Sequence, residues 1–98
     1  MEDEYLIPFG QAYWKAFWIR RCRNLLDRLE QLEFMDPRQR AVASLDLDSL
    51  IQVLLLDYTS DQFEVIQNEA VQTVGFYVQV INDETLRQRR MMNVPAAG

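Results

Sequence analysis

The chain has 98 residues, 49% of them hydrophobic and 26% charged, with 15 acids against 10 bases for a net charge of −5. This is enough apolar matter for one small core, not for a multi-domain enzyme. No apolar run exceeds four residues, against about 18 for a membrane-crossing helix. The absence of histidine and the single cysteine, Cys22, exclude zinc sites of the usual kind, internal disulfides and Ser-His-Asp or Cys-His nucleophiles.

Residues 1–10 mix acids with Tyr5, Leu6, Ile7 and Phe9, and Pro8 and Gly10 punctuate the chain, so an N-terminal arm is expected there. Its opening, Met1-Glu2-Asp3-Glu4, is acidic where a secretory leader is positively charged, and a cytoplasmic protein is expected. From Gln11 to about Phe34 the apolar residues Trp14, Phe17, Trp18, Cys22, Leu25, Leu26, Leu29 and Leu32 recur at steps of three and four. That spacing predicts a one-sided helix with Arg20, Arg21, Arg23, Asp27, Arg28 and Glu30 outside. Trp14, Phe17 and Trp18 read as core, and Cys22 as a small buried residue.

Asp36-Pro37 ends that helix and offers an Asp cap with Pro at the first helical position, enough for one helical turn through Arg40. Ala41–Leu47 then reads as a long loop pinned by Val42, Leu45 and Leu47. A second helix is expected from Asp48-Ser49 to about Tyr58, carrying Leu50, Ile51, Val53, Leu54, Leu55 and Leu56. Thr59-Ser60-Asp61 supplies the next cap, with Glu64 completing a capping box on Asp61. Beyond it Phe63, Ile66, Val74, Tyr77, Val78 and Ile81 keep helical spacing, as one helix or two, and Asn82-Asp83 is a weak stop. Phe76–Val80 has β-prone composition, but its neighbours keep the helical step. The expectation is an all-α fold: a bundle of three to four helices over residues 11–84, with a long loop between helices one and two and a flexible tail over 85–98.

The charge is unevenly placed. Every base lies in 15–40 or 87–90, whereas 41–86 holds no Lys or Arg and contains Asp46, Asp48, Asp57, Asp61, Glu64, Glu69, Asp83 and Glu84. Such a block repels a phosphate backbone and attracts Arg/Lys surfaces, so protein partners are expected and nucleic acid is not.

Leu45-Asp46-Leu47-Asp48-Ser49-Leu50, the stripe Cys22, Leu25, Leu26, Leu29 upstream, Phe63 downstream and the run Thr73 to Ile81 occur in an order that resembles the acyl carrier proteins, over residues 18–82. The resemblance implies a protein that is not itself an enzyme, with 4′-phosphopantetheine esterified to Ser49 at the N-terminus of its second helix. The free N–H groups and positive dipole end of such a helix would suit a phosphodiester. It implies a phosphopantetheinyl transferase docking at Asp48, and acyl-loading and acyl-using enzymes visiting a monomer. Partner contacts would come from Asp46, Leu50, Asp57, Asp61 and Glu64. Ile51 and Leu54, where the family usually carries acids, would be exposed apolar contacts for a specialised partner.

A reading from a different class accounts for composition and periodicity equally: a small acidic helical interaction protein, such as an assembly chaperone, antitoxin or inhibitor, binding one basic target. In that reading Ser49 is only a helix cap, the acidic block a solvated face and Arg87–Arg90 a plain tail.

Overall fold

The computed structural model describes the backbone of residues 2–56 and 59–93 and the side chains of 12–56, 59 and 61–92. Three helices follow in order: α1 (Glu2–Glu30), α2 (Pro37–Leu55) and α3 (Ser60–Asn93). The all-α expectation holds, and no strand occurs among the described residues. At 1.5 Å per residue the helices are about 43, 28 and 51 Å long, and the molecule is elongated, 69 × 20 × 17 Å.

α1 buries Cys22, Leu25 and Leu29, and Leu32 and Met35 of the following turn continue that stripe. α2 returns antiparallel, because a connection of only 31–36 leaves it no other course. Its cap is the expected one: Asp36 sits in non-helical backbone (φ −52°, ψ 124°), its carboxylate accepts the Arg38 N–H at 3.2 Å, and Pro37 takes the first helical position. Two guanidinium groups brace the connection, Arg40 donating to the Leu32 carbonyl and Arg87 to the Phe34 carbonyl at 3.1 Å.

The long loop is corrected. α2 does not stop at Arg40 and restart at Asp48; it is continuous through Ala41–Leu47. Ala43, Leu47, Leu50, Ile51 and Leu54 fall on one face at helical steps and are all buried, so a single helix hides more apolar surface than a loop and a short helix would.

α3 opens on a capping box, as expected, but with different members. Thr59 and Gln62 exchange bonds: the Gln62 N–H donates to Thr59 Oγ1 at 3.4 Å and the Thr59 N–H to Gln62 Oε1 at 3.0 Å. Asp61 falls inside the first turn instead. From there one helix carries Ala70, Val74, Tyr77 and Ile81 into the core.

Both ends are more helical than the sequence suggests. The backbone is helical from Glu2, through Pro8 and Gly10, where an arm is expected. Asn82-Asp83 does not stop α3, because Ile81 and Gln88 are both buried and lie two turns apart on one face. Gln79 Nε2 donates to Asp83 Oδ1 at 2.9 Å and Thr85 Oγ1 to the Ile81 carbonyl at 2.7 Å, across the expected break, and Gln88 Nε2 donates to Glu84 Oε2 at 2.9 Å just beyond it. The expected tail is therefore helical as far as Asn93, and residues 94–98 lie outside the described residues.

α1 and α3 run parallel. Trp14, midway along α1, meets Phe63 in the opening turn of α3 (ring centroids 4.9 Å apart), and Arg28 Nη2 donates to Asn82 Oδ1 at 2.8 Å near the end of α1. Trp14 and Trp18 pack against the core, as expected; Phe17 stands edge-on to Trp18 and is partly exposed, with the Arg21 guanidinium 5.6 Å from its ring centre.

Candidate binding groove between helices two and three

Every fourth or third residue on one side of α2, namely Arg38, Val42, Asp46, Ser49 and Val53, forms a row facing α3. The facing row on α3 is Glu69, Thr73, Phe76 and Val80. Between them lie two hollows that share Phe76 and Tyr77. One, about 570 Å³, is bounded by Asp46, Ser49, Leu50, Val53, Glu69 and Gln72. The other, about 350 Å³, is bounded by Met35, Arg38, Val42, Ala43 and Val80.

The ridge between the hollows is built from two rings. Phe76 stands edge-on to Tyr77 (centroids 5.0 Å apart, planes at 82°) and is 61% exposed, a large apolar surface held out to solvent. Tyr77 is buried, and its phenol donates to Asp46 Oδ2 across the helix pair. Burial first, then the carboxylate it donates to, push the Tyr77 pKa up to about 12. The phenol therefore stays a donor, and the floor of the groove is fixed by a hydrogen bond.

The residues expected to form a site divide between this groove, the core and open surface. Asp46 and Ser49 line the groove, exposed. Leu50 also borders it but is buried. Ile51 and Leu54, expected as exposed partner contacts, are corrected to core residues at 5% and 0% exposure, because the continuous α2 turns that face inward. Asp48, Asp61 and Glu64 are exposed outside the groove. Asp57 lies outside the described residues.

Ser49 is not at a helix tip. It is twelve residues past Pro37, the start of α2, about 18 Å along the axis at 1.5 Å per residue. Dipole stabilisation of an anion fades within the first turn, and the backbone N–H groups around Ser49 are spent inside the helix. Its nearest charged companions in the hollow are the carboxylates of Asp46 and Glu69.

Other reactive features are quiet. Cys22 is buried, and burial pushes its thiol up to about 11, with Arg21 opposing. A hollow of about 370 Å³ beside Arg28 and Arg89 has its Arg28 guanidinium engaged by Asn82. Among the described residues no group of three or more His, Cys, Asp or Glu could hold a metal ion, and no helix is long and apolar enough to cross a membrane.

Sequence reading missed Val42, Val53, Glu69, Gln72, Phe76 and Tyr77 as one surface. The signal was present as the steps of four, four, three and four from Arg38 to Val53, and it is legible only once α2 is taken as continuous. Compared with protein-family models, with curated proteins and with solved structures, the chain finds no match.

Proposed function

We propose that this protein is a small acidic helical interaction protein that binds a basic surface of another protein through the α2–α3 side. The observation that carries the reading is the purely acidic stretch that α2 and α3 share. Asp46, Asp48, Asp61, Glu64, Glu69 and Asp83 are all exposed on α2 and α3, and no Lys or Arg occurs in 41–86. The bases of these two helices lie outside that stretch, Arg38 and Arg40 at the start of α2 and Arg87, Arg89 and Arg90 towards the end of α3, and Arg20, Arg21 and Arg23 are exposed on α1. An acidic face that also holds Phe76, Val42 and Val53 partly open to solvent has both elements of a protein interface, apolar contact and a steering field. Individual exposed ion pairs contribute about 0.2–1 kcal/mol, so the charges give on-rate and salt sensitivity while the apolar contact gives most of the affinity.

The test is site-directed photo-crosslinking in the cell that makes the protein. A photoreactive residue at Ser49 should trap a partner through a Lys/Arg-rich segment, and the same residue at Arg23 should not. Trapping from Arg23 alone would remove the reading.

A second reading, the acyl carrier, is supported by the exposed hydroxyl of Ser49 and by the sequence resemblance. It would place 4′-phosphopantetheine on Ser49, with a phosphopantetheinyl transferase and acyl-handling enzymes as partners. It is the weaker of the two, because the helix-tip geometry that would favour a phosphodiester is at Asp36-Pro37, and two carboxylates share the Ser49 hollow. Incubation with coenzyme A and a promiscuous transferase decides between them. A mass gain of one arm that disappears in Ser49→Ala would establish the carrier; an unchanged mass is expected.

A further inference from the structure

The two hollows lie in line along the pair of helices. Between Glu69 and Val80 on α3, and between Arg38 and Val53 on α2, the trough is about 16–22 Å long at 1.5 Å per residue. That matches three to four turns of a helix. Its walls are two helices and no strand edge is offered among the described residues, so strand addition has nothing to pair with, whereas helix-in-groove docking has both walls ready. The position is the one a fourth helix takes in a bundle.

We infer that the groove holds an amphipathic helix of the basic partner, laid along α2 and α3 as a fourth helix. Apolar side chains about two turns apart fill the hollows on either side of Phe76, and Lys or Arg on the flank of that helix faces Asp46 and Glu69. The inference rests on the acidic-face reading and adds the shape of the occupant. The carboxylates of Asp46 and Glu69 at the larger hollow favour a basic flank there, and the net charge of −5 carried by every copy favours a basic partner over a second copy of the chain.

The probe is a labelled peptide of Leu and Lys with Leu at helical spacing, titrated into the full chain and followed by anisotropy and by helix content. Controls are a scrambled peptide of equal composition and a Leu/Glu peptide of equal pattern. The patterned Lys peptide should bind and gain helix. Phe76→Ala should weaken it about tenfold or more, and Asp46→Asn with Glu69→Gln should weaken it a few-fold and flatten its salt dependence. Val53→Asp gives a second reading of the apolar term, and Arg20→Gln with Arg21→Gln on α1 should leave binding unchanged. If the scrambled peptide binds as well, the helical occupant is overturned and the acidic-face reading survives. If no Lys peptide binds and Ser49 traps no partner, both fall. A dimer in sedimentation that Phe76→Ala dissociates would assign the groove to a second copy and overturn the inference.

Discussion

The phenol of Tyr77 on α3 donates its proton to the carboxylate of Asp46 on α2, joining the two helices beneath the groove. The donor is buried and the acceptor exposed, so the bond fixes the spacing of the two walls from below while leaving the negative charge available above.

Removing that bond with Tyr77→Phe keeps the ring and its packing. A hydrogen bond with one solvated partner contributes about 1 kcal/mol, and that loss is expected in urea unfolding. The pH dependence has a definite sign. The folded-state pKa is raised from 10.0 to about 12, so the phenol's contribution is complete below pH 10 and is lost as pH rises through 12. The wild type should therefore lose stability over that window more steeply than Tyr77→Phe. Equal alkaline limbs would show that Tyr77 is not the group held protonated.

Ser49→Pro separates the two placements of Ser49. Proline is tolerated at a first helical position, as Pro37 shows, but inside a helix it removes a hydrogen bond and clashes with the preceding turn, at a cost of about 3 kcal/mol or more. With Ser49 in the middle of α2, the variant should unfold or melt far below wild type by circular dichroism. A variant of nearly native stability would return the start of the helix to Asp48-Ser49.

Gly75 offers the opposite change. It is exposed within α3, and a Cβ added there meets nothing within 4 Å. Glycine in a helix interior costs about 0.5–1 kcal/mol relative to alanine. Gly75→Ala should raise the urea midpoint accordingly, without altering peptide binding.

Acid stability should depend on Glu84. Arg87 Nε donates to Glu84 Oε2 at 2.9 Å, as does Gln88 Nε2, and the Arg87 bond is the larger cause holding the carboxyl below its ordinary 4.5. A depressed pKa gives stability that is present above pH 4.5 and lost as pH falls below it. Glu84→Gln should therefore lower the urea midpoint at neutral pH and make its acid limb shallower. An unchanged acid limb would mean that the Arg87 pairing contributes nothing.

The α1 stripe, the Asp36-Pro37 cap and the all-α class were legible because each rests on local chemistry: helical periodicity, an Asx cap and a proline with no N–H to lose. Asp48-Ser49 misled for the same local reason. Asp and Ser favour caps, but a helix already running can carry them on its exposed side, and the burial of Ala43 and Leu47 keeps it running. Ile51 and Leu54 face inward only through the register of that longer helix, which no local signal around them shows. In α3, Asn82-Asp83 failed as a stop because Gln79 Nε2 bonds to Asp83 and the carbonyl of Ile81 accepts from Thr85 Oγ1 at 2.7 Å across it, and Glu84 is held by Arg87 and Gln88 in the turn that follows. The groove depends on two helices distant in sequence, so neither row reveals it alone.

Parallel α1 and α3 with a single antiparallel α2 leave an unbalanced molecule. Asp61 lies in the first turn of α3, followed by Glu64, and Arg90 lies in its last turn, preceded by Arg87 and Arg89. Whole side-chain charges outweigh the half-charges of the peptide dipoles, so α3 is a bar with an electric moment along its length, negative at the end where it begins. In a field such a bar experiences a torque, and transient electric birefringence would record its alignment. A cationic object diffusing nearby would meet it already turned.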